Sequence, residues 1–435
     1  IGGFLALRDP ELARRARALL VAFEGLHTYG GMSGRDMEAL AEGIREMVAT
    51  DDHVKARVGQ VDEVRLECTR HVHAADGFDL GARDRLTISD DGQCLQRRLR
   101  QGFLLMTFFN KQISKIVSRL EAPLATTLKA KGLFNDHPYN MDIFGTLSTP
   151  AAYDIIAKSD CIVCFGSALH NFTTDQGKLM RDKRVIQIDL EPSAIGGSLH
   201  PDAALLADAG LTADTILWWL NEAEIAPSGF TRELDGVALT EHPVGSTSTA
   251  DGCINFVQAL ERLEQVFPEN RILVTDGGRF MNEVWCRISV PDPRSNVVTA
   301  NFGAIGQGLQ EAIGSCLAAP DRPVALFTGD GGFMMGGINE FNTAVRMGLN
   351  LTVIVANDSA YGAEHIQFLD RKMDPGLSMF EWPSFAATAT ALGGVGIEVT
   401  SMDELEAALE RLDGVKVPAL IELKLDPNDV PRMRI

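Results

Sequence analysis

Two apolar runs near the C-terminus each lead into a polar residue, and this pattern constrains the fold more than any other feature. Residues 323–328 lead into Asp330, and residues 351–356 lead into Asn357, 27 positions after it. Both runs have the length and apolar character of strands that are buried on both faces of a parallel sheet. The amphipathic segment 337–347 between them predicts the helix that crosses from one strand to the other.

The two polar residues are expected side by side at the carboxyl edge of this sheet, where open α/β sheets bind ligands. Carboxylate and amide oxygens suit a hard cation such as Mg²⁺. Asp330 lies between Gly329 and Gly331, and glycine lets backbone N–H groups approach a phosphate closely. The pattern predicts a diphosphate clamp at Asp330 and Asn357; the alternative is that both are ordinary turn or cap residues.

Composition and charge restrict the class of protein. The chain has 435 residues, enough for two to three domains, and its 45% hydrophobic and 23% charged residues predict a soluble globular protein. A net charge of −19 argues against nucleic acid or an anionic membrane as partner. No apolar run reaches the ~18 residues of a membrane helix. Seven scattered cysteines indicate a reducing cytoplasm, although a chain that starts at Ile1 leaves a targeting signal open.

Cysteine and histidine pairs at two places have spacings that also occur in metal sites. Cys161 and Cys164 lie in an apolar, strand-like run without a second pair, so we interpret them as buried structural cysteines rather than zinc or redox residues. His71 and His73 lie two positions apart near Cys68. Because a second liganding cluster is lacking, we interpret this stretch as a solvated loop.

The motif around Asp330 and Asn357 resembles that of the thiamine diphosphate (ThDP) enzymes. Those enzymes have a Gly-Asp-Gly motif, a spacer of this length and then Asn, and the resemblance continues through Tyr361. Residues 251–435 resemble the diphosphate-binding (PP) domain of the 2-oxo acid decarboxylase and acetolactate synthase superfamily. The other elements predicted in this domain are helices at 254–267, 308–319, 384–392 and 402–412, strands at 271–276 and 419–425, and a polar loop after Asn357.

The middle of the chain resembles the central domain of the same superfamily, without its opening portion. This resemblance covers residues 113–224, with strands predicted at 160–166 and 184–189 and a helix at 211–222. Residues 225–250 are interpreted as a linker. The expected fold class is therefore α/β, with two doubly wound parallel-sheet domains.

The first part of the chain has a different resemblance. Residues 1–70 resemble a fragment of tyrosine phenol-lyase and tryptophanase, which are pyridoxal phosphate (PLP) lyases, through the motif that runs from Tyr29 to Asp36. In that family the lysine that binds PLP precedes this motif, whereas the first lysine of this chain is Lys55. We therefore expect an α/β lyase-like fragment without covalent PLP. Residues 71–112 stay unassigned.

The ThDP resemblance implies a role for each residue of the clamp. Asp330, Asn357 and the backbone carbonyl of Ser359 match the Mg²⁺ ligands of the family, and the metal also binds the diphosphate. Gly331 and Gly332 match residues that donate N–H groups to the diphosphate at a helix start. Gly329 completes the motif.

Further positions match the family upstream and downstream of the clamp. Ile305, which follows Gly303 in a glycine-rich stretch 25 residues before Asp330, matches the aliphatic residue that wedges between the two cofactor rings; the alternative is a core isoleucine in a turn. Asp276, Gly277 and Gly278 end an earlier predicted strand and are expected at the same edge. Downstream of the clamp lie three further candidates: Tyr361, which is expected to contact the cofactor, Glu364 and His365.

Glu364 lies where some family members place an acid near the substrate, although a solvated carboxylate at a helix start is an equally good interpretation. The family also needs a glutamate from a pyrimidine-binding (PYR) domain, and no PYR-like sequence is recognisable here. The expected function is decarboxylation or carboligation of a 2-oxo acid by a homo-oligomer or with a PYR-bearing partner chain. The alternatives are a non-catalytic remnant or subunit with the ThDP fold and, less in keeping with the sequence, a PLP lyase that lacks its lysine.

Overall fold

The structure is a computed structural model that describes residues 111–243, 249–299, 303–415 and 417–429. The lyase-like fragment and the stretch with His71 and His73 lie outside these residues. Within the described part of the chain, no helix combines the length and the apolar character needed to cross a membrane.

The first described region is built from short parallel strands and three helices. Two strands pair with each other, and three more form a sheet in the order β3-β4-β5. The strands are β1 (Leu124–Thr126), β2 (Asn140–Ile143), β3 (Cys161–Phe165), β4 (Arg184–Asp189) and β5 (Ala203–Leu206). The helices are α1 (residues 111–120), α2 (Pro150–Lys158) and α3 (Ala209–Glu222). The two strands and the helix predicted here are present, whereas β1, β2, β5, α1 and α2 were not predicted.

The two cysteines of β3 have different environments, which corrects the interpretation of both as buried. Cys164 is buried and Cys161 is exposed, and neither forms a disulfide. Residues three positions apart in a strand point to opposite faces of the sheet, so a single apolar run cannot bury both side chains when one face is open.

The segment interpreted as a linker packs against the first region. A 3-10 helix spans Phe230–Leu234, and Leu234 and Leu239 are buried in a cluster with residues of α2 such as Ile155. Thr149, at the start of α2, donates a hydrogen bond of 2.7 Å to the carbonyl of Leu239. This part of the segment is thus packed into the apolar core of the first region and does not serve only as a connection between two regions.

The C-terminal region contains one six-stranded sheet in which every strand pair is parallel, in the order β10-β11-β9-β8-β6-β7. Its strands are β6 (Ile272–Thr275), β7 (Asn296–Val298), β8 (Val324–Gly329), β9 (Leu351–Asn357), β10 (Val395–Val399) and β11 (Ala419–Lys424). Its helices are α4 (Phe256–Val266), α5 (Met281–Arg287), α6 (Gly308–Ala318), α7 (Asp330–Met335), α8 (Glu340–Met347), α9 (Gly362–Asp370), α10 (Phe385–Ala391) and α11 (Met402–Leu412).

Helices cover both faces of this sheet. Ile272 and Val274 of β6 lie in one apolar cluster with residues of α6, α8 and α10, while Leu273 between them lies in a second cluster with residues of α4, α5 and α11. The alternation follows from the two-residue period of a strand. A sheet buried on both faces explains why its strands have almost continuous apolar sequences. The predicted α/β class with parallel sheets is confirmed.

Two local predictions were wrong. The helix predicted over 337–347 begins at Glu340, because Gly337 has φ +87°, outside the helical range. The polar loop predicted after Asn357 contains helix α9 from Gly362 onward. The buried residue of α9 is His365. Because histidine is polar, the sequence of α9 lacks the apolar periodicity that would have predicted a helix.

We predict that α8 is a main contributor to the stability of this region. Phe341 is fully buried against the sheet. Phe341→Ala should lower the free energy of unfolding by about 3–5 kcal/mol, because Phe-to-Ala changes leave a cavity. Leu317→Ala, at a position where the side chain is 52% exposed, should change it by less than about 0.5 kcal/mol. Equal midpoints for the two variants in urea denaturation would contradict this.

Candidate active site

The register of β8 and β9 brings Asp330 and Asn357 together. Gly329 lies opposite Ala356 in the parallel pair, so the next residue of each strand emerges at the same carboxyl edge. Asp330 is 2% exposed and Asn357 is 1% exposed. The sequence therefore folds so that a carboxylate and an amide lie next to each other with little access to bulk water.

Neutral N–H groups surround the Asp330 carboxylate. Its Oδ1 accepts from the backbone N–H of Gly331 at 2.8 Å. Its Oδ2 accepts from the backbone N–H of Ala360 at 3.1 Å and from the indole N–H of Trp382 at 2.9 Å. These donors fix the orientation of the carboxylate but add no positive charge to balance it. Trp382 was missed by sequence reasoning because it lies 52 positions from Asp330.

The loop after β9 forms a tight turn around Asn357. The backbone N–H of Ser359 donates to Oδ1 of Asn357 at 3.0 Å. Ser359 has φ +54°, in the left-handed region that is uncommon for residues other than glycine. Its carbonyl accepts from the N–H of Phe380 at 2.9 Å, which leaves the second lone pair of the oxygen available.

Glycines at the cleft make room for aromatic rings. A Cβ on Gly331 would lie 2.4 Å from the Tyr361 ring, and a Cβ on Gly329 would lie 3.2 Å from the Phe280 ring. The Tyr361 ring also meets Phe380 edge to face, with 4.7 Å between centroids. In the structure these glycines therefore allow the Tyr361 and Phe280 rings to pack closely against the backbone.

The cleft contains several of the predicted site residues. Ile305, Gly329, Asp330, Gly331, Gly332 and Tyr361 line it. Asn357 and Ser359 adjoin it, since their chain neighbours Asp358 and Ala360 line it. Gly303, with φ +67°, belongs to the loop that carries Ile305.

Asp276 holds the loop that carries Ile305. This buried carboxylate accepts from the N–H of Gly306 at 2.9 Å and from the hydroxyl of Thr328 at 3.1 Å. Ile305 lies against Gly277, where a Cβ would be 3.1 Å from its methyl group. Burial raises the pKa of Asp276, against the opposing effect of its hydrogen bonds. Asp276 therefore has a supporting role, and Ile305 faces the cleft beside Gly277.

Two charged residues of the cleft were missed from sequence. Arg279 is 5% exposed and donates to the carbonyl of Pro427 at 2.7 Å. Asp358 is 7% exposed and lies close to Arg279, since both adjoin Gly362. Arg279 directly follows the motif that ends at Gly278, so extending that motif by one residue would have identified it. Asp358 lies between Asn357 and Tyr361, inside the recognised stretch, but was not singled out.

Glu364 and His365 occupy different positions in α9. Glu364 lines the cleft, and burial raises its pKa. His365 is buried, with its Nε2 3.5 Å from the side-chain oxygen of Asn428. Of the two, Glu364 is the one placed to meet a ligand in the cleft.

The cleft has an excess of carboxylates that a divalent cation would balance. Its charged lining consists of Asp330, Asp358 and Glu364 against the single cation Arg279. Burial raises the pKa of Asp330. The pKa of Asp358 is raised mainly by burial and also by the nearby Asp330, while Arg279 lowers it. Hard oxygens, a local excess of negative charge and exclusion of water together fit Mg²⁺ bound with a diphosphate.

Glu311 is a further carboxylate that the sequence did not single out. It lies in the first turn of α6, and its Oε2 is buried without a hydrogen-bond partner among the described residues. Burial, and next the proximity of Asp276, raise its pKa to about 7. Because the folded state favours its protonated form, this carboxyl supports stability at acid pH, and that contribution is lost as the pH rises through about 7.

We predict that Glu311→Gln stabilises the protein at pH 8.5 more than at pH 5.5. The amide cannot ionise, so it avoids the cost of a buried charge beside Asp276. Because the side chain is partly exposed, the gain at pH 8.5 should be only on the order of 1 kcal/mol. Thermal melting at both pH values would measure it, with the exposed Glu410→Gln as control. An equal shift in melting temperature at both pH values would contradict the prediction.

Comparison with known families identifies the class of protein. Residues 276–423 match the model of the thiamine pyrophosphate enzyme C-terminal TPP-binding domain. Residues 109–216 match the model of the thiamine pyrophosphate enzyme central domain. The chain belongs to the thiamine diphosphate enzyme superfamily, thiamine pyrophosphate being another name for ThDP.

Individual proteins similar to this chain include acetolactate synthase large subunits and a sulfoacetaldehyde acetyltransferase. The chain is 24% identical over 354 residues to a probable acetolactate synthase large subunit of Methanococcus aeolicus, covering 77% of this chain and 59% of that protein. It is 28% identical over 346 residues to the sulfoacetaldehyde acetyltransferase of Alcaligenes xylosoxydans xylosoxydans, covering 72% and 57%. It is 24% identical over 330 residues to the acetolactate synthase isozyme 1 large subunit of Escherichia coli (strain K12), covering 73% and 56%. The chain thus spans less than two thirds of these relatives.

Proposed function

We propose that this chain is the ThDP- and Mg²⁺-binding part of an enzyme of the 2-oxo acid decarboxylase and acetolactate synthase type. The observation that carries the proposal is the placement of Asp330 and Asn357 at the carboxyl ends of two paired strands, within a cleft lined by glycines. The membership of the superfamily supports ThDP as the cofactor. Mg²⁺ is proposed from the oxygen ligands and the charge of the cleft.

In this proposal each residue of the clamp has a defined task. Oxygens of Asp330, Asn357 and the Ser359 carbonyl bind Mg²⁺. The backbone of Gly331 and Gly332 faces the diphosphate, since both residues line the cleft. The N–H of Gly331 also donates to Asp330, so the same peptide orients the metal ligand.

Other residues orient the organic part of the cofactor and the substrate. Ile305 and Tyr361 provide apolar surface in the cleft, with Gly303 at the base of the Ile305 loop. ThDP supplies, when bound, the carbanion chemistry needed to break or form a bond next to a carbonyl group. Glu364, whose pKa is raised by burial, is placed to hold or release a proton beside the substrate. The proposed substrate class is a 2-oxo acid.

The proposal extends to domains, partners and location. We propose that residues 113–224 and 251–435 form the central and PP domains, and that the PYR glutamate comes from a PYR domain in the same protein or in a partner chain. Two relatives are named as large subunits, which supports assembly into an oligomer. The free cysteines of the described residues support a reducing, cytoplasmic location.

The second candidate is a non-catalytic relative that binds ThDP and acts as a subunit. It predicts the same cofactor binding but no turnover of 2-oxo acids in the assembled protein. Binding and turnover must therefore be measured separately.

We predict that ThDP binding requires a divalent cation and Asp330. Asp330→Ala should weaken Mg²⁺-dependent ThDP binding by more than the roughly 10–100-fold that loss of an outer-shell group costs, because a direct ligand is removed. Calorimetric titration with ThDP in Mg²⁺ and in EDTA measures this. Glu398→Gln, an exposed carboxylate on β10 of the same sheet, is the control. Equal ThDP affinity in EDTA and in Mg²⁺ would contradict the prediction that binding requires a divalent cation.

We also predict that Glu364→Gln separates binding from turnover. In the assembled enzyme it should lower kcat for a 2-oxo acid by about 10²–10⁴-fold, the usual contribution of general acid–base catalysis. ThDP affinity should stay within about threefold, since Glu364 is no part of the clamp. A coupled decarboxylation assay measures kcat, and the exposed Glu381→Gln serves as control. Unchanged kcat would remove Glu364 from the mechanism.

A further inference from the structure

Glu422 is a fully buried carboxylate in β11, an interior strand of the sheet, where its chain neighbours Ile421 and Leu423 are apolar. Its Oε1 accepts from the side-chain N–H of Asn357 at 2.7 Å and lies 3.5 Å from Nζ of Lys424. Its Oε2 accepts from the backbone N–H of Ala386 at 2.9 Å and from the hydroxyl of Ser384 at 3.3 Å. A buried carboxylate is costly unless it is hydrogen bonded, and both oxygens of Glu422 are.

The sheet register explains why this carboxylate reaches Asn357. Glu422 lies opposite Val355 in the parallel pair of β11 and β9. Asn357 is two residues further along β9, so its side chain lies on the same face of the sheet as that of Glu422. Diagonal neighbours on one face are within reach of long side chains. The same face carries α10, whose first turn supplies the Ala386 N–H.

The hydrogen bonds of the Asn357 amide fix which of its two ends is which. Glu422 accepts, so the amide NH₂ group points toward it. The carbonyl oxygen Oδ1 points the opposite way, where the N–H of Ser359 donates to it at 3.0 Å. Reversing the amide would place an NH₂ group against the Ser359 donor and an oxygen against the Glu422 acceptor. Both contacts would then be unfavourable.

We propose that Glu422 is a positioning residue that presents Oδ1 of Asn357 to the divalent cation. The inference rests on the proposed function, because the cation is part of it. Only the oxygen of an amide can ligate Mg²⁺, so the reversed amide would direct two N–H donors at the metal. The second oxygen of Glu422 is tied to the backbone at Ala386. The Glu422 carboxylate therefore links the Asn357 amide to the backbone of α10. Because that second bond fixes the carboxylate, it cannot rotate together with the amide.

The test is a double-mutant cycle between positions 422 and 357, read as the Mg²⁺ concentration that half-saturates ThDP binding in calorimetry. Glu422→Gln introduces an amide with one donor end and one acceptor end. It can satisfy Ala386 or the native Asn357 amide, but not both. We expect the half-saturating Mg²⁺ concentration to rise about 10–100-fold, the usual effect of losing an outer-shell partner.

Combining Glu422→Gln with Asn357→Asp restores the pairing with donor and acceptor exchanged. The introduced amide donates to the introduced carboxylate and accepts from Ala386, while the carboxylate keeps an oxygen for the cation. The double variant should therefore bind Mg²⁺ more tightly than expected from the sum of the free-energy changes of the two single variants. Asn357→Asp alone measures any gain that comes only from the added charge.

A matched control distinguishes positioning from general stability. Ser384→Ala removes another donor to Glu422 and the side-chain cap of α10, but leaves the bond to Asn357 in place. It should lower the melting temperature and leave the half-saturating Mg²⁺ concentration within about twofold of the wild type, since a lost cap acts on helix stability. Wild-type Mg²⁺ dependence in Glu422→Gln, or strict additivity in the double variant, would overturn the inference.

A measurement without cofactor separates this inference from the proposed function. Failure of the wild-type chain to bind ThDP with Mg²⁺ would reject the proposed function. The Asn357 side-chain amide can be observed by NMR after selective asparagine labelling, and Asn357→Asp assigns its signal. Slow solvent exchange of its NH₂ protons, accelerated in Glu422→Asp, supports the positioning role even if Glu422→Gln does not fold. Rapid exchange of these protons in the wild type would overturn it.

Discussion

The parallel pairing of β8 and β9 is the constraint on which the cleft depends. Because Gly329 lies opposite Ala356, Asp330 and Asn357 must leave the sheet together. The chain after β9 then turns back, so that the N–H of Ala360 reaches Asp330. A shift of one residue in this register would direct one of the two side chains to the opposite face of the sheet and separate the pair.

Residues from neighbouring strands and from the segment before α10 then orient the Asp330 and Asn357 side chains and the loop of Ile305. Trp382 approaches Asp330 from the chain that leads into α10, and Glu422 approaches Asn357 from β11. Asp276, at the end of β6, holds the loop of Ile305 through the N–H of Gly306. The cleft is thus supported from two further strands, β6 and β11, and from the segment that leads into α10. An arrangement of this kind keeps the oxygens in place before any ligand binds, which reduces the cost of ordering them on binding.

The sequence was sufficient for the parts of the fold that depend on local pattern. The runs that became β8 and β9 are apolar over their whole length, so both strands and the adjacent polar residues were predictable. Short strands such as β5, which is exposed along its length, lack that signal. The partners of Asp330 and Asn357 were not predictable, because Trp382 and Glu422 lie 52 and 65 positions away and are brought in only by the sheet order. Arg279 was missed although it directly follows a recognised motif, because neither periodicity nor spacing distinguishes a buried arginine from an exposed one.

The glycines have two separate physical roles. Gly306 and Gly336 touch through their backbones, so that a Cβ on Gly336 would lie 1.9 Å from the carbonyl oxygen of Gly306. This contact packs the loop of Ile305 against the end of α7. Gly331 instead lies in the cleft, where its missing side chain leaves space that the Tyr361 ring approaches. The contact between Gly331 and the Tyr361 ring consists of modest dispersion interactions with a side chain. The contact at Gly336 is instead with backbone atoms of Gly306. The glycine-rich sequence therefore combines a backbone contact that positions the loop of Ile305 with a position beside Asp330 where the Tyr361 ring can pack.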